Sequence, residues 1–139
     1  MKKNIIILLA IGFIAGSLIA VYMWNKPHRT SEDEKPAFTL TADSILLEFT
    51  KNETAATQKF LDKTVAITGI VYEMKQDKSG QTEVILQTAD PIETVNCVMA
   101  TGTSTSEIQA GTEIELKGIC SGYLSLSGVN LHQAVLNKK

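Results

Sequence analysis

The chain has 139 residues, 44% hydrophobic and 20% charged, with a formal net charge of −2. Its one strongly apolar stretch is N-terminal, which leaves roughly 100 residues to fold as a single compact unit, with no room for a second domain. From Pro36 onward, eight lysines and no arginine stand against twelve acidic residues. The folded part therefore lacks the cationic surface from which phosphate-backbone binding draws most of its affinity, and nucleic acid is not the expected partner.

The first element, "NIIILLAIGFIAGSLIAVYMW", covers residues 4–24 without a charged side chain. At about 1.5 Å rise per residue it is long enough, as a helix, for the roughly 30 Å hydrocarbon core of a bilayer. Tyr22 and Trp24 sit at its far end, where amphipathic rings favour the headgroup layer. Ala15-Gly16-Ser17 offers a small-residue cleavage site, so a removable signal peptide is the alternative. Cleavage there would expose "LIAVYMW" as a new terminus, which favours a retained anchor over residues 1–25. No cysteine lies near enough for lipid attachment. Lys2 and Lys3 before the span, against Lys26 and Arg29 after it, favour a single pass through the cytoplasmic membrane with the C-terminal domain outside, on the periplasmic side.

Residues 26–37, with "NKPHRTSEDEKP", are polar, charged and bracketed by prolines, and read as a linker. Next, Ile45, Leu46, Phe49, Ala56 and Phe60 recur at helical spacing. They predict one amphipathic helix, breakable at Lys51–Asn52, with Thr41 or Asp43 capping its start and Asn52 a second piece. From Lys63 the period changes to two. "TVAITGIVYEM", "QTEVILQT" and "TVNCVMA" predict three strands, the first two joined by a turn at "QDKSGQ". "TSTSEIQAGT" reads as a short helix, and "TEIELKGIC" and "VNLHQAVL" as two further strands. Gly69 and Gly118, inside otherwise regular strands, mark bulges or tight corners.

A helix between the third and fourth of five short strands is the arrangement of the OB-fold, a five-stranded Greek-key barrel, here over residues 38–139. It is preceded by an amphipathic helix and the N-terminal transmembrane helix. The alternative is an open antiparallel sheet with the long helix packed on one face.

Several segments also carry a resemblance: "NKPHR" after the anchor, "N-E-x-x-A", "K-x-V-x-I-T-G-x-V", "V-N-C-V" and "G-x-x-I-x-L-K-G-x-C-S-G-Y". In this order they resemble the bacterial tRNA_anti-like family over nearly the whole chain. The resemblance implies an OB-fold and a cell-envelope setting, as a membrane-attached protein or lipoprotein. This sequence departs from the lipoprotein members in lacking a lipid-attachment cysteine, which leaves the apolar span to do the anchoring.

No residue pattern implies catalysis, a metal or a cofactor. His28 lies in the linker, and the remaining histidine and the two cysteines lack close ligand spacing. By alternation Cys97 and Cys120 face inward, where thiols are ordinary core residues. An extracytoplasmic setting suits a Cys97–Cys120 disulfide. In the order 1-2-3-5-4, however, their strands are not neighbours, and the bond stays open. The segment "GICSGYLSLSG" joins the fourth and fifth strands and reads as a rim with Ser121, Tyr123 and Ser125. Tyr72 and Lys78, at the turn between the first two strands, complete the lip. Tyr123 either offers a flat face to a protein, peptide or saccharide ligand, or folds over the barrel mouth as a lid. The sequence thus predicts a non-catalytic binding module of the cell envelope. The alternative is a single-stranded nucleic-acid binder, which needs stacking aromatics and a basic groove.

Overall fold

The computed structural model describes residues 2–24 and 31–137, with side chains in the first helix from Ile11 onward. His28 and the rest of residues 25–30 lie outside the described residues. Helix α1 spans Lys2–Trp24. Among the described residues no helix is long and apolar enough to cross a membrane.

Five strands close a barrel: β2 (Thr64–Gln76), β3 (Thr82–Leu86), β4 (Thr94–Met99), β5 (Glu113–Leu124) and β6 (Gly128–Leu136). Their spatial order is β2-β3-β4-β6-β5, with β5 returning to β2. The β4–β6 pair is parallel, and the other four pairings of the ring are antiparallel. Counted from β2 this is 1-2-3-5-4, the OB-fold order expected from the sequence, and it sets aside the open sheet. Val65, Ile67, Val84, Leu86, Val95, Cys97, Leu116, Cys120, Val129 and Leu131 fill the interior, each no more than 1% exposed.

A sixth strand was not legible. β1 (Phe38–Thr41) pairs in parallel with the start of β2, Phe38 opposite Val65 and Leu40 opposite Ile67. Four residues give too short an alternation to announce a strand, and their partner lies 27 positions away in the chain.

The amphipathic helix forms as two pieces, α2 (Ala42–Lys51) and α3 (Glu53–Phe60). Thr41 Oγ1 accepts the Ser44 N–H at 3.2 Å, and Asn52 Oδ1 accepts that of Ala55 at 3.0 Å. Asn52, with φ −158° and ψ 92°, is extended, and its own N–H closes α2 on the Glu48 carbonyl. One residue thereby ends a helix and starts the next, and the turn between them brings two apolar faces onto the barrel. α2 buries Ala42, Ile45, Leu46 and Phe49; α3 buries Ala56 and Phe60. Gly69 of β2 lets α2 approach: a Cβ there would stand 3.1 Å from that of Ala42.

The short helix expected at 104–111 is absent. The loop from β4 to β5 is instead a run of three turns, closed by Thr103 N–H to the Ala100 carbonyl, Ile108 N–H to Thr105 and Thr112 N–H to Gln109. Gly102 and Gly111, both at φ +84°, bound it, and hydroxyl side chains between them compete with helical hydrogen bonding. Only Ile108 of this loop is buried.

The second half of the linker, residues 31–37, lies against the barrel. Ser31 is fully buried, its hydroxyl donating in a fork to the carbonyls of Lys117, at 3.0 Å, and Gln133. Lys117 Nζ donates to the Glu32 carbonyl at 2.8 Å, Thr64 Oγ1 donates to the Glu34 carboxylate, and the Ala37 N–H binds the Thr64 carbonyl. The physical reason is the bulge at Gly118, where the register between β5 and β6 shifts. Buried carbonyls displaced from a ladder need other donors, and this strap supplies them.

Gly128, at φ +103°, opens β6 where it meets β4, and a Cβ there would fall 1.8 Å from the Thr94 carbonyl oxygen. Gly128→Ala is therefore expected to cost roughly 3 kcal/mol or more through backbone strain plus displacement of β4. Urea unfolding of the variant checks this, and a loss under about 1 kcal/mol would show that the seam tolerates a side chain.

Candidate ligand-binding surface of the barrel

The β5–β6 connection is shorter than the sequence implied. β5 continues through Leu124, and only Ser125, Leu126 and Ser127 turn the chain. Tyr123 thus stands in a strand, opposite Val129. Its ring lies parallel to that of Phe49, centroids 5.6 Å apart at 14°, and Phe49 in turn meets Phe60, which meets Phe38. The ring closes the barrel mouth, the lid arrangement.

Its hydroxyl is held as well. Tyr123 donates to both oxygens of Glu93, at 2.8 and 2.9 Å, and the Leu126 N–H donates to Glu93 Oε1 at 3.0 Å. Glu93 is positioned by a turn: Asp90 Oδ1 accepts the Ile92 and Glu93 N–H groups, both at 2.8 Å, and Thr88 Oγ1 donates to the Glu93 carbonyl. The backbone bonds from Glu93 and Ile92 hold the Asp90 carboxyl below its ordinary value. The hydrogen bond to Glu93 raises the Tyr123 phenol above its own. Glu93 is a residue that sequence reading missed, since it stands 30 positions from its tyrosine with no motif between them.

Of the other expected rim residues, Ser125 stays beside Tyr123 in the turn. Ser121 is exposed on the outer side of β5, its Oγ 2.7 Å from His132 Nδ1. Tyr72 and Lys78 belong to the β2–β3 hairpin and do not join them. β4 lies between: its start meets the β5–β6 turn, with Thr94 opposite Gly128, and its end meets the hairpin, with Val98 opposite Glu83. The two turns therefore bound the outer face of β3 and β4 from opposite ends.

That face carries amides and apolar side chains. Asn96 Nδ2 donates to the Ser127 carbonyl at 3.2 Å and to Asn130 Oδ1 at 3.4 Å, while Thr94 Oγ1 donates to Asn96 Oδ1 at 3.1 Å. Ile85 and Val98 lie alongside, and no aromatic residue stands on β3, β4 or β6. A separate groove of about 720 Å³ opens between the turn-rich β4–β5 loop and the strap, lined by Thr101, Thr103, Ser104, Lys117, Gln133 and Glu32.

The thiols are not part of any surface. Cys97 and Cys120 are both free and buried. Burial, and secondarily the Glu83 charge, pushes the Cys97 thiol up to about 12, and burial also raises Cys120. The disulfide left open by the sequence is not formed, because both cysteines pair with Leu131 from opposite sides of β6. Two strand spacings separate their backbones by about 10 Å, beyond the roughly 7 Å that a disulfide bridges. Among the described residues no group of three His, Cys, Asp or Glu side chains could hold a metal ion.

The segments "VNCV" and "GICSGY" thus fall on strands of one closed barrel, in the order seen in the sequence. The chain belongs to the tRNA_anti-like family. The family pattern matches residues 1–135. Among solved structures, this tRNA_anti-like chain is similar to a lipoprotein of Klebsiella pneumoniae described as "putative nucleic acid-binding". The two share 15% identity with a TM-score of 0.58, over 71% of this chain and 91% of that one. A second likeness, to a Leishmania major protein described as a "putative aspartyl-tRNA synthetase", has 14% identity and a TM-score of 0.45 over 88% of this chain and 26% of that one. No curated protein matches.

Two outcomes are expected of this tRNA_anti-like barrel. Tyr123→Phe should cost about 1–2 kcal/mol by removing a hydrogen bond to a carboxylate, and Tyr123→Ala about 2–4 kcal/mol by also removing the stacked ring. The phenol is raised, so its contribution is full below the unfolded value near 10 and is lost as pH rises through the higher folded value. Urea melts of wild type and Tyr123→Phe from neutral pH to above pH 10 measure both; an unchanged midpoint in Tyr123→Phe at neutral pH would remove the hydroxyl's contribution, and one in Tyr123→Ala would remove the lid role. For the thiols, neither Cys97 nor Cys120 should react with a bulky maleimide before unfolding, and reduction should leave the mass unchanged. Fast native labelling at either position would contradict their burial.

Proposed function

We propose that this chain is a membrane-anchored, non-catalytic binding module of the cell envelope, held by α1 in the cytoplasmic membrane with its barrel on the outer, periplasmic side. The anchor is supported by the absence of any charged side chain from residue 4 to residue 24. It is also supported by the outward apolar side chains Ile11, Phe13, Ile14, Leu18, Ile19 and Val21, each more than half exposed. A binding role without chemistry is supported by the two protonated, buried thiols and by an interior closed with apolar residues.

The observation that carries the choice of ligand is where the rings are. Phe38, Phe49, Phe60 and Tyr123 contact one another at the barrel mouth, and the outer face of β3 and β4 instead leaves Thr94, Val98 and Glu83 half-buried around the buried Asn96 and Ile85. A hydroxyl, a carboxylate and a small apolar group suit the backbone of an extended peptide or the hydroxyls of a saccharide, both of which need hydrogen-bond partners more than stacking. A second reading, single-stranded nucleic acid, is favoured by the barrel's likeness to the Klebsiella lipoprotein. It lacks the stacking platform and basic groove that such binding uses, with twelve acidic residues against eight lysines from Pro36 onward.

The full-length protein should remain in the membrane pellet after alkaline carbonate washing, and protease added to spheroplasts should digest its C-terminal domain. A photo-crosslinking residue at Val98 should then capture an envelope protein or glycan, whereas the same probe at Leu47, on α2, should not. Nucleic acid as the captured species would establish the second reading, and a shortened soluble form would show a cleaved signal in place of the anchor.

A further inference from the structure

Barrel closure leaves one stretch of β2 with a neighbour on one side only. Its first half is held by β5, a pairing that ends at Ile70 opposite Glu113. Val71 makes the last backbone bonds on that side, its N–H to the Thr112 carbonyl and its own carbonyl from the Gly111 N–H. From Tyr72 to Gln76 the strand pairs with β3 alone, Glu73 opposite Ile85 through Gln76 opposite Thr82. Every residue of 72–76 is exposed, Tyr72 at 64% and Met74 at 40%. The hairpin tip is tied by Asp77 Oδ1, which accepts the N–H groups of Ser79 at 2.8 Å and Gln81 at 2.9 Å, so the open edge is held extended.

A bare edge is a template for another strand, and its own sequence, "YEMKQ", specifies which. Five free residues centred on Met74 overlap fully with an antiparallel copy of themselves in a single register, with a two-fold axis through Met74. In that register Glu73 faces Lys75 of the second copy, Lys75 faces its Glu73, and Tyr72 faces its Gln76. Directly opposed residues bring their Cβ atoms to about 4.5–5.5 Å, within reach of an ion pair. The two charges already share a face of β2, with Lys75 Nζ 3.3 Å from Glu73 Oε2. Against an arbitrary strand such edge charges deter pairing. Against this strand reversed they match.

We propose that Tyr72–Gln76 is a self-association edge, through which two copies of this chain join their barrels into one antiparallel sheet about a two-fold axis at Met74.

The test uses full-length protein in detergent carrying Met74→Cys, with Leu47→Cys on α2 as the control; the buried Cys97 and Cys120 offer no competing thiol. Mild oxidation should link two chains through residue 74 and not through residue 47. Glu73→Lys in the Met74→Cys background sets lysine against lysine twice and should reduce the link at least about tenfold. Adding Lys75→Glu reverses both charges, restores the match and should restore the link, which separates lost pairing from lost fold. Helices that associate through Gly12 and Gly16 would raise the particle mass without aligning residue 74, so the site-specific bond is the readout. Absence of that bond, or a bond that Glu73→Lys leaves unchanged, overturns the proposal.

Discussion

Parallel pairing of β4 with β6 is the contact that turns a meander into a barrel, and the residues around it are the least free to change. It joins positions more than 30 apart in the chain, Thr94 to Gly128 and Cys97 to Leu131, so loop-closure entropy opposes it until the core forms. The compensation is local. Val95, Cys97, Val129 and Leu131 are all buried at this seam, and above it Thr94, Asn96, Asn130 and the Ser127 carbonyl share hydrogen bonds. Gly128 permits the approach, and Glu93, one residue before the seam, fixes the turn that follows it.

The same closure decides what the aromatic residues are for. A barrel mouth must be filled, and here four rings fill it: Phe38 from β1, Phe49 and Phe60 from the helices, and Tyr123 from β5. Rings committed to the core are withdrawn from recognition. In the described fold from Pro36 onward only Tyr72 is mostly exposed, at the edge of the sheet, while Phe38 and Tyr123 are half-buried.

Much of this architecture was legible in the sequence because it rests on local rules. The five strands showed themselves by alternation, and Thr41 or Asp43, with Asn52, marked the helix starts. What escaped rests on partners distant in the chain. β1 is a strand only because β2 lies beside it, and Ser31 reads as linker until the displaced carbonyls of Lys117 and Gln133 need its hydroxyl. Whether Tyr123 is a rim or a lid stays open in the sequence, because its partners Glu93 and Phe49 are distant in the chain. The missing helix at 104–111 errs the other way: Ser104, Ser106 and Gly111 suit helix ends, yet this segment builds successive turns instead.

The strap at Ser31 also fixes a length. Seven peptide steps separate Trp24 from Ser31, and a fully extended chain covers at most about 25 Å in that number. Were α1 held in the bilayer, as proposed, the barrel would be on a leash shorter than a small domain is wide, confined to a thin layer at the membrane surface. Copies of the chain would then meet in two dimensions, where even weak association between them is amplified by confinement. Whatever the barrel recognises has to come to that layer.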